Sequence, residues 1–366
     1  MKLLRYTLAC LALSSSLVIA GCGGDDKTPA PAADPITQDD VVDLGDLITQ
    51  DPDLAAAAEM IGDPATLLAE GRKQGEKARA DVAAVMSFIK QVAVGEPTKT
   101  GETPRGNAGA VWVKTVNGVE LTLGVERTAP NRLRYLMAGK AADGTMKGLL
   151  TGVFIKKAPK TGGGRLHVNL TNLSDLFNAP GADGSIHFWF ANHKADLRGR
   201  RIAYVNVSRR DDPNMQKVNY GADLVRLVGV GGRFRSVAIS DFSPASPGNE
   251  AVGLRVLWKA GQGGRASGAI ATLGAMPQVQ ATMHECWDKD GKRTAYMDDI
   301  AGNDMNNPNE GDVTMCAGFA KEPPPDPMDV SVDGADVDPE LDTLLDDAGA
   351  STIIVADADD ATDIGI

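Results

Sequence analysis

The sequence predicts a mainly β protein, built as a large curved antiparallel meander that resembles half of a barrel, with an N-terminal helix packed on it. From about residue 108 to residue 320, apolar and polar residues alternate with a period of two, which is typical of half-buried strands. Turn pairs such as Asn117-Gly118 and Asp143-Gly144 divide these runs and favour antiparallel neighbours. With 41 glycines and 5% aromatic residues, the core must be mostly aliphatic. A two-sheet β-sandwich is the alternative.

The strand that begins at Val119 shows the alternation most clearly, and a second run near residue 254 repeats it. Because successive strand side chains point to opposite faces, the pattern assigns each residue to an interior or to water. The predicted interior residues are Leu121, Leu123, Val252, Leu254 and Val256. The predicted solvent-facing residues are Glu120, Thr122 and Arg255.

The segment 39–95 has the periodicity of a helix rather than of a strand. Apolar residues recur at spacings of three and four at Val82, Val85, Met86, Ile89 and Val92. Gly71 and Gly75 weaken the first half, so the sequence predicts a firm helix from about residue 76 to residue 94. Residues 96–107 are rich in proline, glycine and threonine and are expected to form a linker.

The N-terminus carries Lys2 and Arg5, then a mostly apolar run that ends in Ala20-Gly21-Cys22. The run is about the length of a signal-peptide core and too short to remain as a membrane-spanning helix. This arrangement resembles that of bacterial lipoprotein precursors, in which a signal peptidase cuts before a cysteine that then carries lipid. The resemblance implies a signal peptide at 1–21 and lipidation of Cys22.

A lipid on Cys22 would bind the protein to a membrane of the bacterial envelope. In lipoproteins of double-membraned bacteria, Asp after the cysteine commonly signals inner-membrane retention, and this chain has Gly23. The resemblance therefore implies the outer membrane. Residues 22–38 are small, polar and proline-rich, which is typical of a disordered tether.

The predicted layout of sheet and helix also resembles the periplasmic lipoprotein-carrier superfamily, in architecture alone. That superfamily holds acyl chains in a half-barrel. The resemblance implies an apolar ligand held in the half-barrel.

Four cysteines divide by position. Cys10 lies in the predicted signal peptide and Cys22 at the lipidation site, which leaves Cys286 and Cys316 as a pair. An even pair in an oxidising compartment favours a disulfide. The alternative is a metal site with His284, but three ligands without a fourth at close spacing do not make a structural zinc site. We expect no metal.

Charge is concentrated at the C-terminus. The segment 321–366 holds 12 Asp, 2 Glu and 1 Lys, which gives it a charge of −13. The full chain has a net charge of −12, so the remainder has a net charge of +1. This acidic tail is predicted to be disordered, with partner binding as the functional alternative. Its sign excludes nucleic acid as a partner. The Asp- and Asn-rich loop 298–312 is expected to be solvated, with calcium binding as its alternative.

Histidines give little support for catalysis. His187 and His193 share one face of a predicted strand, about 20 Å apart, and are expected to face outward. His284-Glu285 imitates the start of a zinc-protease motif without its second histidine. We therefore expect a non-enzymatic module that needs no cofactor and binds an apolar ligand or an envelope protein. An envelope hydrolase with dispersed site residues is the alternative.

Overall fold

The computed structural model describes residues 35–41, 66–103, 107–158, 161–177, 181–192, 197–212, 216–241, 248–273, 278–300 and 310–312. In this part of the chain, two helices and fourteen strands are labelled in order, and residues 38–41 are also helical. The helices are α1 (Thr66–Val92) and α2 (Leu170–Phe177). The strands are β1 (Lys99–Glu102), β2 (Ala108–Val116), β3 (Val119–Ala129), β4 (Arg132–Lys140), β5 (Met146–Ala158), β6 (Thr161–Asn169), β7 (Ala182–Asn192), β8 (Leu197–Arg209), β9 (Val218–Leu227), β10 (Gly231–Ser240), β11 (Glu250–Lys259), β12 (Gly263–Thr272), β13 (Gln278–Trp287) and β14 (Arg293–Ile300).

All of these strands belong to one open antiparallel sheet, and each pairs with the next one along the chain from β1 to β14. The predicted mainly β meander is confirmed, and the two-sheet sandwich is wrong. Short turns produce this order because a two-residue hairpin can join only antiparallel neighbours. Between β2 and β3, Asn117 and Gly118 both have positive φ, at 48° and 83°, as the hairpin turn requires.

The segment predicted to be a linker, 96–107, contains β1. Residues 99–102 pair in register with the first part of β2, from Lys99 opposite Val111 to Glu102 opposite Ala108. This four-residue strand is exposed along its whole length. Backbone pairing with β2 therefore holds it in place. The sequence did not predict this strand because its residues show no apolar alternation.

The helix α1 begins ten residues earlier than the predicted firm part, at Thr66. Gly71 is the reason that the earlier turns fit: a Cβ there would lie 3.1 Å from Cγ2 of Val256 and 3.6 Å from Cδ2 of Leu254. The close approach of α1 to β11 thus outweighs the low helix propensity of glycine.

The helix α1 crosses one face of the sheet, which we call the inner face; the opposite face is the outer face. Its first turns contact β10 to β13, and the chain just after it reaches β2, where the indole Nε1 of Trp112 donates to the Gly95 carbonyl at 3.0 Å. The ring of Phe88 packs edge to face on Phe177 of α2, with ring centroids 5.9 Å apart. One helix therefore contacts strands near both ends of the sheet.

The main hydrophobic core lies between α1 and the inner face. Leu121 and Leu123 are fully buried there, with Leu254 and Val256 at 5% and 1% exposed. These residues confirm the predicted strand faces. Val252 differs: it lies near the start of β11 and is 37% exposed, because α1 packs farther along that strand.

Candidate functional site

The inner face is filled by α1. The cavity between the helix and β10 to β13 has a volume of about 20 Å³. Leu68, Gly71, Phe234 and Val256 line it, together with Trp258 and other residues. Such a space holds about one water molecule, whereas ligand pockets measure hundreds of cubic ångströms. This cavity is too small for an acyl chain.

Polar contacts also hold α1 against the inner face. The amide oxygen of Gln74 accepts hydrogen bonds from Ser236 Oγ at 2.6 Å and from the Tyr220 hydroxyl at 3.2 Å. The Tyr204 hydroxyl donates to the Asp81 carboxylate. Burial and the Asp81 carboxylate raise the pKa of Tyr204, so its phenol stays neutral. These bonds fix the position of α1 on β8, β9 and β10.

The outer face carries a row of directly opposed residues that runs across the whole sheet. Each member is the register partner of the next. From β1 to β14 the row reads Gly101, Gly109, Glu126, Arg134, Val153, Arg165, Trp189, Arg201, Asp223, Arg235, Arg255, Ser267, His284 and Met297. We call its five arginines, at 134, 165, 201, 235 and 255, the arginine row.

Asp223 lies between two of these arginines. Its carboxylate is 3.4 Å from Nε of Arg201 and accepts a hydrogen bond from a terminal nitrogen of Arg235 at 2.8 Å. The side chains of Arg201 and Asp223 are only 2% and 5% exposed, and the Arg201 guanidinium lies over the ring of Trp189 at 5.4 Å. Burial and pairing together hold these guanidiniums in fixed positions.

Glu126 has the same role at the other end of the row. Its buried carboxylate is 3.3 Å from Nε of Arg134 and accepts hydrogen bonds from Thr103 Oγ1 at 2.9 Å and Asn107 Nδ2 at 2.8 Å. Thr103 follows the last residue of β1, and Asn107 precedes the first residue of β2. The predicted linker therefore helps to order one end of the arginine row.

Positive charge exceeds negative charge along the row. Five arginines face two carboxylates, which gives a formal charge of +3. Arg235 and Arg255 are directly opposed on β10 and β11, and like charges at such positions destabilise a sheet. Three further arginines, Arg132, Arg233 and Arg265, lie two residues along their strands on the same face. Chemically, this surface is suited to bind carboxylate or phosphate groups.

A pair of histidines lies beside the row. The rings of His167 and His187 stack across β6 and β7, with centroids 4.3 Å apart and planes within 9° of parallel. Burial, and then the neighbouring His167, lower the pKa of His187 to about 4. His187 lies on the outer face as predicted, but it is half-buried and bonded to Ser185 Oγ at 3.1 Å. His193 falls outside the described residues.

The two residues that resemble the start of a zinc-protease motif, His284 and Glu285, lie on opposite faces of the sheet. His284 lies on the outer face, 3.0 Å from Ser267 Oγ, whereas Glu285 lies on the inner face, 3.4 Å from the Leu67 amide of α1. The two side chains therefore cannot act on one substrate. Across the residues that the structure describes, no group of three or more His, Cys, Asp or Glu side chains could hold a metal ion.

Several of the sites predicted from the sequence include residues outside the described part of the chain. Cys286 is buried on the outer face of β13, but Cys316 and Cys22 lie outside the described residues, so the disulfide and the lipidation stay predictions. Most of the loop 298–312 also lies outside them. Within it, Asp298 accepts a hydrogen bond from the Tyr296 hydroxyl at 3.2 Å. The acidic tail 321–366 lies outside as well.

Comparison with known proteins gives no relative: no protein family, no curated protein and no solved structure matches this chain. In the described part of the chain, no helix is both long enough and apolar enough to cross a membrane.

Proposed function

We propose that this protein is a lipid-anchored, non-enzymatic interaction module of the bacterial envelope, and that its arginine row binds an acidic polypeptide. The observation that supports this most is the alignment of five arginines in one register row on a half-buried sheet face. Scattered surface arginines would be mobile. Here the strands fix their spacing.

Two features favour anion binding over a purely structural role. Glu126 and Asp223 orient Arg134 and Arg235, which are partly exposed, so these two guanidiniums lose little further freedom when an anion binds. The opposed pair Arg235 and Arg255 carries a repulsion that an anion would relieve.

The dimensions of the row favour an extended polypeptide. The row runs from β4 to β11, which is seven strand spacings, or about 34 Å. About ten residues of extended chain cover that length. The apolar ligand expected from the sequence has weaker support: the cavity beside α1 measures about 20 Å³, and a larger one of about 280 Å³ near Trp258 and Trp287 is lined by charged residues such as Lys259 and Asp288.

The envelope location rests on Cys22 and the apolar run before it. Labelled palmitate fed to cells should enter the protein and should be absent from the Cys22→Ser variant. If that variant keeps both the label and its membrane association, the location is wrong.

Binding is tested with a fluorescent peptide of twelve aspartates. The acidic tail has the same sign of charge as this probe and would compete with it for the arginines. The assay therefore uses the full chain with Asp326, Asp329, Asp333 and Asp336 replaced by Asn, which we call the proximal-tail variant. Fluorescence anisotropy at low salt should show saturable binding that weakens as salt is added.

The site is identified by adding two substitutions to the proximal-tail variant, Arg165→Gln and Arg255→Gln. Together they should weaken binding at least about tenfold. Arg209→Gln is the matched control because Arg209 is exposed, lies outside the row and pairs with Asp211. Equal losses from the control and the row substitutions would contradict the proposal.

A further inference from the structure

We infer that the protein's own acidic tail occupies the arginine row and competes there with external acidic partners. This inference rests on the proposed function, because it assigns a regulator to the same surface. The tail carries −13 and the row +3, so the two parts of one chain attract each other.

Charges recur at similar distances on the two sides. Along the row, Arg134, Arg165 and Arg235 lie on β4, β6 and β10, with neighbours about 10 Å and about 20 Å apart, whereas the side chain on β8 between them is buried. The first tail aspartates, Asp326, Asp329, Asp333 and Asp336, are three or four residues apart. In a polyproline II conformation, residues three apart lie on one side of the chain, about 9 Å from each other. A tail in that conformation therefore presents several carboxylates to the partly exposed arginines.

The chain is also long enough to reach. The last described residues, 310–312, lie beside β14, where Glu310 pairs with Tyr296 through two backbone hydrogen bonds. From β14 to β10 is four strand spacings, about 20 Å. From Asp312 to Asp326 the chain makes fourteen residue steps, which extend to about 46 Å. The tail can therefore meet the row at the β10–β11 end and continue toward β4.

Attachment within one chain gives the tail a high effective concentration at the row. An external acidic segment binds only when it displaces the tail or when salt weakens the tail's contacts. The tail thus sets a threshold for partner binding, and it shields the like-charged arginines when no partner is present.

The test measures how accessible the arginines of the row are to a reagent, without using the aspartate probe. An arginine-specific dicarbonyl reagent labels the full, unaltered chain, and peptide mass spectrometry measures the rate at Arg165 and Arg255. The proximal-tail variant should label at least about threefold faster at these residues, with the rate at Arg209 unchanged. Raising salt should accelerate labelling of the unaltered chain but have a smaller effect on the variant.

The matched control is a distal-tail variant in which Asp357, Asp359, Asp360 and Asp363 become Asn. It removes the same number of negative charges, four, but keeps the aspartates that the proximal-tail variant replaces. It should label like the unaltered chain. Equal acceleration by both variants would show that overall charge acts at a distance, which overturns docking of the proximal segment.

Other outcomes separate this inference from the proposed function. Equal labelling of the unaltered chain and the proximal-tail variant overturns tail docking, even if the variant binds the aspartate probe. If the variant is labelled faster but does not bind the probe, tail docking is supported and the proposed binding of an external acidic polypeptide is wrong. Protection that increases with protein concentration would place the tail on a second copy, which overturns docking within one chain.

Discussion

The two faces of the sheet carry different chemistry on the same strands. On β8, Ile202 and Tyr204 face α1 and belong to the main core, whereas Arg201, the residue before Ile202, faces the other way and pairs with Asp223. On β11, Leu254 and Val256 pack near Gly71 while Arg255 points outward. The inner face therefore supplies most of the apolar burial, and the outer face carries an ordered set of charges that burial alone does not require.

The largest expected difference between the faces is at β3. Leu123→Asp would place a carboxylate in the fully buried inner core and should lower the free energy of unfolding by about 4 kcal/mol or more. Thr122→Asp, its neighbour on the outer face, should cost less than about 1 kcal/mol. Urea denaturation measures both. Equal losses would mean that the assignment of faces is wrong.

The next effect tests whether the outer-face charges are coupled. Asp223→Asn removes the charge that offsets Arg201 and Arg235, and it should cost about 3 kcal/mol because the Arg201 side chain is buried. Asp211→Asn breaks an exposed pair with Arg209 and should leave stability unchanged. If both variants unfold at the wild-type denaturant concentration, Asp223 does not organise the row.

A smaller effect tests the contact between α1 and the inner face. Gly71→Val would push a side chain into Val256 and should cost about 2 kcal/mol. The control is Ala84→Val on the exposed side of α1, where only helix propensity changes, by less than about 1 kcal/mol. Thermal unfolding compares the two. A Gly71→Val protein as stable as the control would mean that α1 packs more loosely than described.

An effect of similar size concerns pH at the stacked histidines. The folded-state pKa of His187 is about 4, below the ordinary value of 6.5, so the folded protein holds fewer protons than the unfolded chain between these values. Stability should therefore decrease as pH falls from about 6.5 to about 4, and His187→Gln should remove about 2 kcal/mol of that decrease. Unfolding curves at several pH values test this. An unchanged slope in the variant would exclude His187 as its source.

The sequence predicted what depends on local patterns. Alternation and hairpin turns predicted the meander, and Leu121 and Leu123 lie on the predicted face, since a strand's period fixes its faces. The short strand β1 was missed because four exposed residues carry no such pattern. The early turns of α1 were missed because Gly71 gains from a contact with Val256, a residue distant in sequence.

The arginine row could not be predicted for a different reason. Each of its arginines occupies an ordinary polar position of an alternating strand. Their alignment depends on seven successive strand pairings from β4 to β11, four of which contain bulges that shift register elsewhere on the strand. The one available signal was the frequency of arginine at outward positions. It could have suggested a basic face but not a single row.

The central claim is that the outer face binds while the inner face stabilises. Its most direct test is titration calorimetry of the proximal-tail variant with the twelve-aspartate peptide, before and after the added substitutions Arg165→Gln and Arg255→Gln, alongside denaturant unfolding of both proteins. Affinity should fall at least about tenfold while the free energy of unfolding changes by less than about 1 kcal/mol. Unchanged affinity, or a loss of affinity that merely follows a loss of stability, would contradict the claim.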